Sequence, residues 1–298
     1  MSNKTDFQSK NTRLNANNTD LISILNSINN LPDAGGSGGG TGEKYAPRRI
    51  TFEGYTGTDL DYEISNLDTK NITDFADMFH NCTNVTNLDL SSWRVRNITS
   101  MYYAFASTTN LTSLSANNFD TSNVTDFSNV FAASGLSTLN LSNWNFEKAT
   151  TIDYMFHNCS KLTSVDLGGF KNDLATSAKY LFYKNTKLTS VDLRDFVGTN
   201  VTSCIYMFNE CSALTSVDLR SFNPTNLTNI NYMFYKCSKL MHLDVRSLEI
   251  GTFSNMSSWN TNVPKTCEII VKDDTQKAWW NGKSFTNVKT VAEYEAEA

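Results

Sequence analysis

The feature that most constrains this chain is a repeat. The phenylalanine closing each Met-Phe-like pair recurs at Phe79, Phe105, Phe131, Phe156, Phe182, Phe208 and Phe234, in steps of 26, 26, 25, 26, 26 and 26 residues. The one short step falls in "FAASGLSTL", Phe131 to Leu139. A fixed period of this size demands a stack, because one such unit cannot bury its own apolar side and becomes stable only against its neighbours. Seven full repeats run from Asn71 to about Gly251, and "DLDYEISNLDTK" supplies a degenerate half-repeat before them.

Each repeat has two halves. In "NITDFADMF", Ile72, Phe75, Met78 and Phe79 are apolar at spacings of three and four, which predicts a short helix with one buried face. Thr73, Thr99, Thr125, Thr150, Thr176, Thr202 and Thr228 sit where its N-cap would be. The second half reads L-x-x-L-x-L-x-x-F, as in Leu188, Val191, Leu193 and Phe196, and its alternation predicts a short strand. The fold class expected is therefore an α/β solenoid: a leucine-rich repeat array of seven roughly 26-residue repeats with caps, preceded by an N-terminal helix.

The recurring pattern "NVTxxxxMFxxCxxLTSLDLSxFxT", carried by Asn71–Arg96, Asn97–Ser122, Asn123–Glu147 and the four repeats after them, resembles the BspA-like leucine-rich repeat surface proteins of bacteria. The likeness covers roughly Ile50 to Trp280. It implies adhesion or ligand binding at a bacterial surface and carries over no active site.

Five segments follow from the pattern: 1–34, a helix; 35–44, a flexible linker around "GGSGGGTG"; 45–70, an N-terminal cap and half-repeat; 71–251, the repeats; and 252–298, a C-terminal cap. Phe7, Leu14, Leu21 and Ile28 are seven apart, with Ile24 and Leu31 on the alternate seam, so residues 7–31 are expected to form a coiled-coil stalk that makes a homo-oligomer. The bland alternative is one amphipathic helix. "LNANNTDLISILNSINNLPDAGG" also resembles the start of structural proteins from phages of gut Firmicutes.

A formal net charge of −5 argues against nucleic acid or an anionic membrane as a bulk partner. No run of about 18 apolar residues appears, so no membrane insertion is expected. The N-terminus lacks the apolar core of an export signal. Either such a signal has been trimmed from the sequence, or, as the phage likeness implies, the protein reaches a virion-associated or extracellular location by another route.

Little in the chain suggests chemistry. Cys82, Cys159, Cys211 and Cys237 share one repeat position and read as small buried residues. His80–Cys82 and His157–Cys159 have ligand-like spacing, but they lie three repeats apart, roughly 14 Å at the usual strand separation, so no metal site is expected. No nucleophile motif or phosphate loop appears, and neither an enzyme nor a cofactor is expected. The Asn-x-Ser/Thr sequons at Asn71, Asn97, Asn123, Asn200 and Asn226 read as consequences of the repeat's N-[IVL]-T opening.

The expected binding strip lies on the strands. Between the inward residues, one outward position reads Asp89, Ser115, Asn140, Asp166, Asp192, Asp218, Asp244; two residues later it reads Arg194, Arg220 and Arg246 in the last three repeats; two earlier it reads Ser190, Ser216 and His242. Aspartates one rung apart repel, so the arginines either only neutralise them or join them in a strip that binds a protein or glycan on a bacterial surface. Tyr102, Tyr103, Tyr154, Tyr180, Tyr206 and Tyr232 are expected on the helix instead, as packing residues or a convex aromatic stripe. The functions weighed are an adhesin or receptor-binding module on a phage tail, a cell-wall adhesin, and a structural or scaffold protein without a specific ligand.

Overall fold

The computed structural model describes residues 48–49, 51–58, 60, 64, 69, 72–248 and 253–297. The expected stalk, its linker and most of the half-repeat lie outside the described residues. The rest is a leucine-rich repeat solenoid of about seven turns. Its strand face carries one three-residue strand per turn: β3 (Asn87–Asp89), β4 (Ser113–Ser115), β5 (Thr138–Asn140), β6 (Ser164–Asp166), β7 (Ser190–Asp192), β8 (Ser216–Asp218) and β9 (His242–Asp244). All pairs are parallel and in strict register, as in Val191↔Val217 and Val217↔Leu243. Two further strands, β1 (Arg48–Arg49) and β2 (Ile72–Asp74), pair at the N-terminal end. The middle residue of each strand faces in and its neighbours face out, so Leu88, Val191 and Val217 are buried between polar residues.

The expected helix is absent from the repeats. In its place each rung makes a run of tight turns holding two residues with positive φ, four apart: Asp77 and Asn81, Tyr103 and Ser107, Asn129 and Ala133, Tyr154 and Asn158, and so on to Ser258 and Asn262. The amides alternate in consequence. Met78, His80 and Cys82 donate three residues back, to Phe75, Asp77 and Phe79. Asp77, Phe79 and Asn81 instead donate to Tyr102, Ala104 and Ala106 of the next rung. A helix would satisfy only itself; these turns tie each rung to the next and leave few backbone groups unpaired. Ile72, Phe75, Met78 and Phe79 are all buried, so the apolar spacing marked the right residues for a different backbone.

The threonines read as helix caps are not caps. From Thr99 on, most of their hydroxyls donate to the carbonyl of the equivalent residue one rung back, as in Thr125 to Thr99 (3.2 Å), Thr150 to Thr125 (3.1 Å) and Thr202 to Thr176 (3.0 Å). A second hydroxyl ladder precedes the strands, through Thr163, Thr189 and Thr215.

The core is a file of rings. Phe52, Phe79, Phe105, Phe131, Phe156, Phe182, Phe208 and Phe234 stack with centroids 5.2–5.7 Å apart and planes within 11° of parallel. Each contact of this offset kind adds about 0.5–1.5 kcal/mol beyond simple burial. Phe146, Phe170, Phe196 and Phe222 form a second file, 4.8–5.3 Å apart. The 25-residue rung closes through Gly135, where a Cβ would lie 2.3 Å from the Thr109 carbonyl oxygen, so only glycine fits.

At the C-terminal end, β10 (Glu268–Val271) extends the sheet beside β9, α1 (Asp274–Asn281) crosses over it, and β11 (Asn287–Thr290) pairs parallel with β10. Asp273 caps α1 by accepting the Gln276 amide at 3.0 Å. Trp259 meets Phe234 edge-on and ends the phenylalanine file, with Trp280, fully buried, packed against it. The short helix α2 (Val291–Glu297) follows β11.

Candidate functional site

The outward residue at the end of each strand has a structural task before any other. Its side-chain oxygen accepts the amide two residues on: Asp89 from Ser91, Asn140 from Ser142, Asp166 from Gly168, Asp192 from Arg194, Asp218 from Arg220, Asp244 from Arg246, at 2.9–3.2 Å. These local bonds turn the chain out of the strand, a use that suits only Asp, Asn and a few short polar residues.

In the last three rungs the expected repulsion between aspartates is answered within the rung. Arg194 grips Asp192 through Nε and Nη2 (2.7–3.1 Å), Arg220 grips Asp218 likewise (2.6–3.0 Å), and Arg246 grips Asp244 (2.8–3.0 Å). The Arg194 bond is the main force holding the Asp192 carboxyl below its ordinary pKa. Ser190, Ser216 and His242 pair in register along the adjoining column.

The strip is not uniform. Arg194 is 61% exposed and Arg220 47%, but Arg246 is 18% exposed and Asp244 only 1%. The C-terminal cap covers the last rung: Glu295 lies 3.3 Å from Arg246, and the Tyr294 ring lies 6.0 Å from both Arg246 and His242. His242 bonds Glu268 (2.8 Å), Glu268 pairs with Lys289 (2.9 Å), and Lys289 also pairs with Glu297. Of the ten residues expected to bind, Ser190, Asp192, Arg194, Ser216, Asp218 and Arg220 thus share one accessible stretch. His242, Asp244 and Arg246 join the cap, and Asp166 stands one rung away beside Gly168 with no arginine of its own.

The repeated cysteines donate their thiols to the preceding rung: Cys82 to the Phe52 carbonyl (3.1 Å), Cys159 to Phe131 (2.9 Å), Cys211 to Phe182 (3.0 Å), Cys237 to Phe208 (3.1 Å). Burial pushes the Cys82, Cys159 and Cys211 thiols up to about 12, so they are neither thiolates nor nucleophiles at neutral pH. His80 lies beside Glu53 (3.3 Å), and His157 stacks on Tyr183.

One surface was misplaced by sequence reasoning. The tyrosines assigned to a helix stand in the left-handed turns, where Tyr154, Tyr180, Tyr206 and Tyr232 stack at 4.5–4.8 Å, half-buried. Tyr at one repeat position in four successive rungs was the available signal.

Residues 49–170 and 162–272 match the family described as "Mycoplasma protein of unknown function, DUF285". The chain belongs to this family. The DUF285 match spans the repeats that carry the BspA-like motif. No curated protein matches the chain. Among solved structures it is similar to a leucine-rich cell surface protein of Faecalibacterium prausnitzii, at 13% identity over 76% of this chain and 79% of that one, with a TM-score of 0.26. A likeness that loose carries neither fold nor function to this DUF285 protein. Among the described residues, no helix is long and apolar enough to cross a membrane.

Proposed function

We propose that this array is a non-enzymatic binding module, an adhesin or receptor-binding element that engages a protein or glycan on a bacterial surface. The observation that supports it most is the pair of exposed Asp–Arg forks on adjacent rungs, Asp192–Arg194 and Asp218–Arg220. Each guanidinium is fixed by its own aspartate through Nε and Nη2, which leaves Nη1 outside the pair as an oriented donor. The forks stand on a backbone bonded within and between rungs, so little ordering entropy is lost when a ligand docks. The proposed carrier is a phage tail, on the strength of the likeness of residues 14–36 to phage structural proteins; a cell-wall adhesin would use the same chemistry from a different support.

The test is binding of the purified chain to a panel of intact Gram-positive gut bacteria, compared with an Arg194→Glu/Arg220→Glu double variant. Arg246 is left intact because it neutralises a buried aspartate. At least a tenfold loss in the variant, with unchanged melting temperature, is expected. Binding to no strain, or equal binding by the variant, would overturn the reading. Immunogold labelling of virions rather than cell envelopes tests the carrier.

A further inference from the structure

We infer that the turn face carries a second binding site, distinct from the strand-face strip, for a linear anionic polysaccharide lying along the solenoid axis. The site is the tyrosine file from Tyr154 to Tyr232 with the second aromatic column beside it and the lysines at its margin.

Backbone conformation provides the first argument. Tyr154, Tyr180, Tyr206 and Tyr232 have φ of 57–61°. This left-handed region disfavours bulky side chains and suits Gly, Asn and Asp. Equivalent turns elsewhere in the array use Asp77, Asn129 and Ser258, so the bend itself does not require an aromatic residue. Four successive tyrosines against that preference mark a surface selected for something beyond folding.

Ring geometry defines what the surface offers. The four rings stack nearly parallel, within 15° of one another, and so cover each other's faces. What remains outward is ring edges and hydroxyls. Three residues beyond Tyr154, Tyr180 and Tyr232, the rings of His157, Tyr183 and Tyr235 form a second column, broken at the buried Asn209 beyond Tyr206, with His157 and Tyr183 stacked at 5.1 Å and Tyr183 edge-on to Tyr180 and Tyr206. Aromatic edges carry the positive end of the ring quadrupole and the hydroxyls donate hydrogen bonds. Such a ledge favours acceptors and anions and has few free faces for stacking a neutral sugar. Burial first, then neighbouring phenols, raises the pKa of Tyr180 and Tyr206, so those donors stay protonated.

The charge at the margin agrees. Lys184 lies 5.1 Å over the Tyr183 ring and Lys236 5.1 Å over Tyr235. Lys187 and Lys239 follow in the same bends, exposed. Opposing them are Glu210, which pairs with Lys236 at 3.3 Å, and Asp153, which adjoins Tyr154 at one end of the file. The chain as a whole is acidic, with a net charge of −5, so this local basic excess is against the average. Tyrosines advance one per rung at close to the strand spacing, which suits a polymer presenting one acidic sugar per ring or nearly so.

Affinity electrophoresis of the full chain through gels containing polygalacturonate tests the inference, with neutral dextran and sheared DNA in parallel gels. Polygalacturonate is expected to retard the chain, less so as salt rises, and dextran is not. Lys187→Glu/Lys239→Glu and, separately, Tyr183→Ser/Tyr235→Ser should each weaken the retardation at least tenfold at unchanged melting temperature. The Arg194→Glu/Arg220→Glu variant should retain it, which separates this site from the strand-face strip. No retardation by polygalacturonate, equal retardation by dextran, stronger retardation by DNA, or loss in the lysine variant but not in the tyrosine variant would each overturn it.

Discussion

Phe182 sits mid-way along the phenylalanine file, fully buried, with Phe156 stacked at 5.2 Å on one side and Phe208 at 5.5 Å on the other. Phe182→Ala removes a whole buried ring and is expected to cost about 3–5 kcal/mol. Phe182→Leu keeps most of the apolar volume but loses both ring contacts, for about 1–3 kcal/mol. Phe52→Leu, with its single stacked neighbour Phe79 at 5.5 Å, should lose about half as much. In a stack whose units touch only their neighbours, a deficit of this size at one internal interface also uncouples the two sides. Urea unfolding followed by circular dichroism gives the energies, and hydrogen-exchange mass spectrometry reports whether rungs before and after Phe182 open together. Phe182→Ala should split a single transition into two. A cost below about 0.5 kcal/mol for Phe182→Leu, or one unchanged cooperative transition for Phe182→Ala, would refute the claim that the ring file couples the rungs.

Arg246→Ala strands the buried Asp244 carboxylate and should destabilise the chain by about 3–5 kcal/mol, whereas Arg194→Ala, at an exposed and solvent-screened pair, should leave the melting temperature almost unchanged; thermal melts showing the reverse order would contradict the placement of the cap. Ala133 has φ of 56°, so Ala133→Gly, which keeps the amide bond to the His157 carbonyl, should raise stability by up to about 1 kcal/mol; a lower melting temperature would count against the left-handed turn.

Much of this architecture was legible in the residues. The 26-residue period, the stacked strands and the buried positions all follow from apolar spacing, because burial is what that spacing records. The turns that stand in place of the expected helix were not legible. Ile72, Phe75, Met78 and Phe79 are buried either in a helix or in turns that alternate between right- and left-handed residues, since both bring every third or fourth side chain inward. Glycine would have betrayed the left-handed positions, but they hold Tyr, Lys, Glu and Ala more often than Asn or Asp. At the candidate strip, the Asp–Arg pairing was visible from the i, i+2 spacing, but the covering of Arg246 was not. That depends on Tyr294 and Glu295, nearly fifty residues later, which no repeat signal links to it.

The turns that send alternate amides to the following rung have a consequence for how such a chain changes over generations. Every rung offers and accepts nearly the same bonds, so copying or deleting one 26-residue unit of gene leaves the junctions intact, and even the 25-residue rung at Gly135 is absorbed without loss of alignment. Duplication can therefore lengthen the molecule in increments of one strand spacing, adding one more tyrosine or one more arginine to whichever column is useful, while the terminal cap remains a fixed stop.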